Sequence, residues 1–600
     1  MSREETSNKG AAWVSAVGVA ALTTACGGGG KKPNDPKNNA QGLTPQCAAQ
    51  PAQAAATPVN PAGPLPAPTY EMASRFLAQI GLGATIPDVK QIVETDRNYT
   101  IWLNARLNDP LPGPTVFDWA KEKGFAGEGN FGTDRGVDNA LWSRLLGRPD
   151  VVRQRMALAW SQIFVVSSSN MATPWGQFAA MAYWDILEAQ GLGNFRTLLK
   201  AITLSTAMGV YLNMRGSRKA DAVTQRQPDE NYAREILQLF TIGLNQLRPD
   251  GSEVLNSSGK PVPNYSNEDI SGLASVFTGW DFDRFSEAVP DHLARPMIHN
   301  SADFSEGSKS FLGATIGADK NGEQALDAAL DVIFQHPNVP PFISRRLIQQ
   351  LVTSNPSPAY IARVSGIFAN NGLGVRGDIK AVIRAIVLDP EARPPLTSTA
   401  GLVYHGKLRE PVLRLVHWAR LFDVQSTDGK WLVPNLATTT ALGQSPLRAP
   451  SVFNFYRPGY VPPNSELTCQ GMVAPEFQIT DDATVIAYAN FMQTVIGFGA
   501  DQVEPNYDRI RLPRSLMNWD DLAATPVELV AWLNTALTGG ALLPENITMI
   551  LSAVESITQL DAAIHPVDTP TGSHFVTGRR ARVLIAVYLI LCSPDFLVQR

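Results

Sequence analysis

Pro228-Asp229-Glu230-Asn231-Tyr232-Ala233-Arg234-Glu235-Ile236-Leu237-Gln238-Leu239-Phe240-Thr241-Ile242-Gly243 is the stretch on which the reading of this chain turns. Its spacing predicts one helix over 229–242. Proline suits a first helical turn, where its missing N–H would have no partner, and Asp229 and Glu230 favour the positive end of the helix dipole. Gly243 supplies a stop. At about 100° per residue, Glu230, Asn231, Arg234, Glu235 and Gln238 share one side, and Tyr232, Ala233, Ile236, Leu237, Leu239 and Phe240 share the other. Glu230 with Arg234, and Asn231 with Glu235, stand four apart, so the polar stripe can form a hydrogen-bonded array. Two readings of that array stay open. Its charges can lie in water, each pair contributing about 0.3 to 0.5 kcal/mol. Alternatively, the stripe faces a cleft in which two carboxylates beside an arginine acquire separated pKa values and carry out acid/base chemistry.

The same helical spacing recurs along most of the chain. It predicts helices over 71–82, 86–94, 99–107, 140–146, 151–166, 175–190, 196–204 and 267–277. Further on it predicts 322–335, 340–352, 358–370, 379–388, 407–422, 483–495, 526–537, 544–551 and 579–591. Strand signals are confined to Glu253–Tyr265, where Ser257-Ser258-Gly259-Lys260 suggests the turn of a β-hairpin. The expected fold is therefore all-α, mainly helical: one large multi-helix domain over 68–600 with long ordered loops, at most a minor β-hairpin, and room for a C-terminal helical subdomain from about 480. Gln444 to Pro463, rich in proline, arginine and aromatic rings, reads as an ordered loop.

Composition narrows the function classes. The 600 residues are 44% hydrophobic and 18% charged, with a net charge of −5 and no long basic run. Nucleic acid is not an expected partner. Ala11 to Ala25 is apolar, follows Lys9, and ends in Leu22-Thr23-Thr24-Ala25-Cys26 before four glycines. It fits a signal-peptide core and is short for a membrane span. Small residues before a cysteine, with a glycine-rich spacer after it, resemble the lipobox of bacterial lipoproteins, with Cys26 the lipidated residue. The expectation is a signal peptide over 1–26, a Pro/Ala/Gly-rich tether over 27–67, export, and attachment to the cell envelope through Cys26. An ordinary secretory signal cut near Ala25 is the other reading. With 4 cysteines there is no disulfide framework. Cys47 and Cys469 are one possible bridge, and Cys592, in an apolar run, reads as a buried thiol.

Several quoted motifs together carry a resemblance. They include Arg75-Phe76-Leu77, Arg153-Gln154-Arg155-Met156 with Trp160, Gly193-Asn194-Phe195-Arg196, the 228–243 stretch and Phe277-Thr278-Gly279-Trp280. His299, Lys309, His336-Pro337, Lys407 with Arg409-Glu410-Pro411, and the aromatic loop complete the set. The chain resembles the bacterial domain-of-unknown-function family numbered 1800 over most of Tyr70–Arg600. Asn300 follows His299 where the family often has aspartate. The resemblance implies an exported protein and, from the usual gene neighbours, a sulfatase-like exported partner.

No His-Glu-x-x-His, zinc-spaced cysteine pair, Gly-x-Ser-x-Gly or dinucleotide fingerprint is present, so no cofactor or metal is named by motif. Asp319 to Glu323 reads as a turn and helix cap rather than a calcium loop. The candidate catalytic set is Glu230, Arg234, Glu235 and His299. Candidate binding residues are Asn231, Trp280 as a stacking surface, Asp281, Lys309 and Arg409. Two functions from different classes follow. One is an exported acid/base enzyme acting on an extracellular polymer or its fragments. The other is a non-catalytic cell-surface binding or assembly protein working with another exported protein.

Overall fold

A computed structural model describes residues 67–284, 288–394, 405–498, 503–504, 518–564, 568–569, 572–573 and 576–600. The signal segment, nearly all of the tether, Cys26 and Cys47 lie outside them.

The molecule is built around helix Val151–Ile163, in which every residue is buried. It packs against helices Tyr70–Ile80, Tyr99–Leu107, Val137–Gly147, Gly176–Gln190 and Val339–Leu351. A second hub is helix Gly578–Cys592, against which Asp482–Phe498, Trp519–Leu522, Pro526–Leu533 and Pro544–Glu555 pack. The hubs are joined in three places. Tyr70–Ile80 packs on Asn534–Thr538, Lys407–Leu408 pairs antiparallel with Val598–Gln599, and the Arg75 Nε donates to the Arg600 carbonyl at 3.1 Å.

Helix ends follow local chemistry. Thr69 accepts from the Met72 amide, and capping boxes at Ser266/Asp269 and Asn321/Gln324 start the helices Asn267–Val276 and Gly322–Gln335. The segment 319–323 is thus a turn and cap, as its sequence suggested. Among the described residues, strands are limited to six two-stranded antiparallel pairs of two or three residues each. The expected hairpin at 253–265 is present as single bridges, Leu247 to Glu253 and Leu255 to Pro261, with Asn256 closing the turn by accepting from the Ser258 and Lys260 amides. The helix expected over 407–422 begins only at Pro411, because Lys407–Leu408 is committed to the strand pair. Among the described residues, no helix is long and apolar enough to cross a membrane. Cys469 is disulfide-bonded, the Cys47 of the expected bridge being outside the described residues, and Cys592 is a buried free thiol.

His417 shows how the hubs are locked together. Its Nδ1 lies 3.2 Å from the Arg409 guanidinium and its Nε2 3.1 Å from the Ala536 carbonyl, and burial lowers its pKa to about 3. The ring also lies against Gly83, where φ is +102° and an added Cβ would come within 2.3 Å of it. Gly83→Ala therefore combines left-handed backbone strain with overpacking. A loss of about 2 to 5 kcal/mol is expected, read as a lowered midpoint in urea unfolding; an unchanged midpoint would show that the 83–417 contact is loose.

Candidate functional site

The 228–243 stretch is helical, with two differences from its sequence reading. The helix starts at Asn231, and Asp229, one residue before the N-cap Glu230, accepts from the Asn231 amide at 2.8 Å. Beyond Glu235 the turns widen to π-helical geometry over Ile236–Thr241 before Gly243, at φ +73°, ends the element. Such wide turns are frequent at functional sites. The polar stripe divides in two. Glu230 and Arg234 form the expected pair at 3.2 Å, with both side chains 41% exposed, and Ser271 donates to the other Glu230 oxygen at 2.5 Å. Glu235 is 8% exposed, and its Oε2 has no hydrogen-bond partner among the described residues. Burial pushes its carboxyl above the usual range against the pull of Arg234. Asn231 and Glu235 make no hydrogen bond with each other among the described residues, whereas Gln238 accepts from the Tyr265 hydroxyl at 3.3 Å.

Trp280, His299 and Lys309 gather elsewhere. Trp280 pairs with His299 across two short strands, and the His299 ring stands edge-on to Trp280 and Phe304 at 5.2 and 4.9 Å. Gly322 closes over the ring, since a Cβ there would lie 1.9 Å from His299 Nε2. Burial lowers the His299 pKa. Lys309 sits over the Phe304 ring at 4.3 Å and donates to the Gly307 carbonyl. Trp280 is only 2% exposed, so the expected stacking surface is covered by its own fold. Asp281 pairs with Arg215 at 2.7 Å. Arg409 is buried between His417, the Leu537 carbonyl and the Phe596 ring, which makes it a clamp between chain segments; burial lowers its pKa to about 10.

A different constellation forms at the centre of the molecule. Lys407, 3% exposed, donates to the Gln349 and Gln350 carbonyls at 2.9 and 3.0 Å and to Glu476 Oε1 at 2.8 Å, with Glu410 Oε1 at 3.8 Å. The Glu410 Oε2 accepts from Gln162 at 2.5 Å and Gln444 at 2.8 Å, and Gln162 in turn accepts from Tyr456 at 2.7 Å and Asn454 at 3.1 Å. Arg155 donates to the Gln350 carbonyl at 2.5 Å. Two recesses meet at Gln162 and Asn454. Each has a cavity volume of about 10 Å³, room for about one water; the first is lined by Arg346, Gln349, Gln350, Tyr456 and Glu476, the second by Ser161, Gln444 and Ser445. Around the first recess, buried polar atoms lack hydrogen-bond partners among the described residues: Glu476 Oε2, Gln349 Oε1, Gln350 Oε1 and Arg346 Nε. Burial drives the Glu476 carboxyl upward in pKa, with Lys407 opposing. Buried polar groups left without partners are costly; four border this recess, which has room for a water, and others lie elsewhere in the interior, at Arg144, Arg155 and Trp418 among them.

The sequence model of the family described as Protein of unknown function (DUF1800) matches residues 75–598. The chain belongs to this family. No curated protein and no solved structure matches it. In this DUF1800 protein, three of the motifs that carried the resemblance converge on the polar centre: Arg155 from 153–156, Lys407 and Glu410 from 407–411, and Asn454 and Tyr456 from the aromatic loop. Sequence reasoning named Glu410 but missed Gln162, Arg346 and Glu476, which come from separate elements. A signal did exist for part of it, since arginine and glutamine inside the apolar 151–163 helix had to find buried partners. Among the described residues, no cluster of three or more histidine, cysteine, aspartate or glutamate side chains could hold a metal ion.

The raised pKa of Glu235 has a consequence for stability. A carboxyl whose folded pKa lies above its unfolded value destabilises the fold as pH rises through the folded pKa, since the unfolded chain ionises more readily. Glu235→Gln should therefore raise the thermal midpoint at pH 8 relative to the unsubstituted protein and change it little at pH 4. A larger loss at pH 8 than at pH 4 would contradict this.

Proposed function

We propose that this protein is an exported acid/base enzyme, held at the cell envelope through a lipidated Cys26, and that it acts on an extracellular polymer or its fragments at the central polar recess. One observation carries the reading. Glu476 lines the recess with Oε2 unpartnered among the described residues, its pKa raised by burial, while Oε1 rests on the Lys407 ammonium at 2.8 Å. A carboxylic acid in this setting retains its proton nearer neutrality and can pass it to a departing oxygen. The carboxylate left behind is then stabilised by Lys407, itself fixed by the Gln349 and Gln350 carbonyls and by Glu410. Gln162, Asn454 and Tyr456, bonded to one another, wall the recess, which admits a single water or hydroxyl beside Glu476.

The organising helix offers a competing location, because Glu235 also combines burial, an oxygen without a partner among the described residues and a raised pKa. Comparing Glu476→Gln with Glu235→Gln in the full-length protein separates the two. Against a panel of exported polysaccharides, with product release and thermal stability followed together, Glu476→Gln should lower turnover of the accepted polymer by about 100-fold or more while Glu235→Gln leaves it unchanged. The reverse result moves the site to the helix. Binding of one polymer without turnover by the unsubstituted protein favours the non-catalytic surface-protein reading, in which a sulfatase-like exported protein is the candidate partner. Anchoring is tested separately: Cys26→Ser should move the protein from the membrane fraction to the soluble exported fraction, and unchanged membrane association would remove the lipid anchor from the account.

A further inference from the structure

The aromatic rings of the described residues are almost all covered. Only Phe131, Phe453 and Phe477 are exposed, and two of these three belong to neighbouring stretches. Phe453, 38% exposed, lies in the aromatic loop, and Phe477, 37% exposed, in the turn Pro475–Ile479. The stretches are tied together where the Arg457 amide donates to Gln478 Oε1 at 2.8 Å and the Ala474 amide to the Tyr460 carbonyl at 2.8 Å. The Arg457 guanidinium lies over the Phe453 ring, 4.6 Å from its centroid, is exposed, and forms no ion pair with a described residue.

These side chains face outward because their neighbours are held inward. Asn454, buried and at φ +64°, donates to Gln162 at 3.1 Å, and Tyr456 donates to the same oxygen at 2.7 Å. Glu476, next to Phe477, is buried and takes the Lys407 ammonium at 2.8 Å. The polar centre therefore fixes the backbone on which Phe453, Arg457 and Phe477 stand. Single exposed apolar residues are ordinary on a protein surface, but a pair of rings backed by a buried network and flanked by an unpaired guanidinium is not scattered exposure.

The size of the feature selects its ligand. Two rings and a guanidinium, bordered by exposed Ser451 and Gln478, fall well short of the roughly 800 Å² per partner of a stable protein interface. They match a ligand with one apolar face and a hydroxyl edge. A pyranose ring can lay its C–H face on an aromatic ring and turn its hydroxyls to N–H and amide groups beside it, and a ledge fixed in advance spares the ordering cost of binding. We infer that Phe453, Phe477 and Arg457 form a sugar-stacking ledge on the surface outside the polar centre, where a segment of a polysaccharide chain lies against the two rings and bonds to Arg457 and Gln478. The ligand class rests on the proposed function; a catalytic role for Glu476 is not required.

Calorimetric binding to the full-length protein is the test, with cellohexaose, chitohexaose and xylohexaose as probes. At least one should bind. Phe453→Ala and Phe477→Ala should each weaken that binding by about tenfold and leave the thermal midpoint unchanged, since neither ring is buried. Phe477→Trp, which keeps a stacking ring, should retain the affinity, and Arg457→Gln should lower it by about fivefold. Phe131→Ala removes the third exposed ring and should change nothing. No binding of any probe, or an affinity indifferent to Phe453→Ala and Phe477→Ala, overturns the inference. Self-association in sedimentation that disappears in these two variants, with sugar affinity unchanged, also overturns it and makes the ledge a protein contact. Binding lost in the ledge variants, with turnover unaffected by Glu476→Gln, keeps this inference and removes the acid/base role of Glu476. Turnover lost in Glu476→Gln, with binding and KM untouched by the ledge variants, does the reverse.

Discussion

Helix Val151–Ile163 is covered on all sides although it carries Arg153, Gln154, Arg155, Ser161 and Gln162. That burial is the constraint on which the structure depends, since buried polar side chains need partners: Ser161 and Gln154 find theirs locally, at the Leu158 carbonyl and Asp150, and the others draw on distant segments. Arg153 draws in the Asp109 and Glu188 carbonyls, Trp160 the Gly191 carbonyl, Arg155 the Gln350 carbonyl, and Gln162 the trio of Glu410, Asn454 and Tyr456. These partners span the chain from the first described helices to the aromatic loop. The apolar faces set which helices pack together; the polar residues set how they are positioned.

Buried ion networks are a weak route to stability. Desolvating each charge costs several kcal/mol, and hydrophobic residues of similar volume often serve as well or better. The Lys407–Glu410–Glu476 centre bears that cost and still leaves Glu410 Oε1 and Glu476 Oε2 without hydrogen-bond partners among the described residues. Unfilled positions of this kind also occur elsewhere in the interior, at Trp142, Arg144 and Trp418 among them. Two recesses, each with room for about one water, lie beside the Lys407–Glu410–Glu476 centre and are lined by amide and phenol groups.

Much of the architecture was legible in the sequence because local rules and tertiary packing agree. Tyr99–Leu107 and Gly322–Gln335 appear with the bounds their spacing predicts, and the latter has its capping box written in Asn321 and Gln324. Elements of one or two turns, Thr206–Tyr211, Trp519–Leu522 and Pro594–Leu597, are too short for a period of 3.6 to register. The π-helical turns after Glu235 also lack a periodic signature. The candidate site divides similarly. Glu230 and Arg234 are local neighbours and pair as expected, whereas Arg346, Glu410 and Glu476 lie far apart along the chain and only tertiary packing unites them. Trp280 was misjudged as a stacking surface because an aromatic residue after a helix reads the same whether it lines a groove or fills a core.

The most direct test of the central claim is a high-resolution crystal structure of the full-length protein grown in a neutral buffer without added oxyanions. If the polar centre is a site, ordered solvent should occupy the recess and contact Arg346, Gln350 and Glu476 Oε2 together, while the Lys407–Glu476 contact persists. A closed recess, with Arg346 turned onto a carboxylate of the protein and every buried oxygen satisfied internally, would show the network to be structural and would contradict the account.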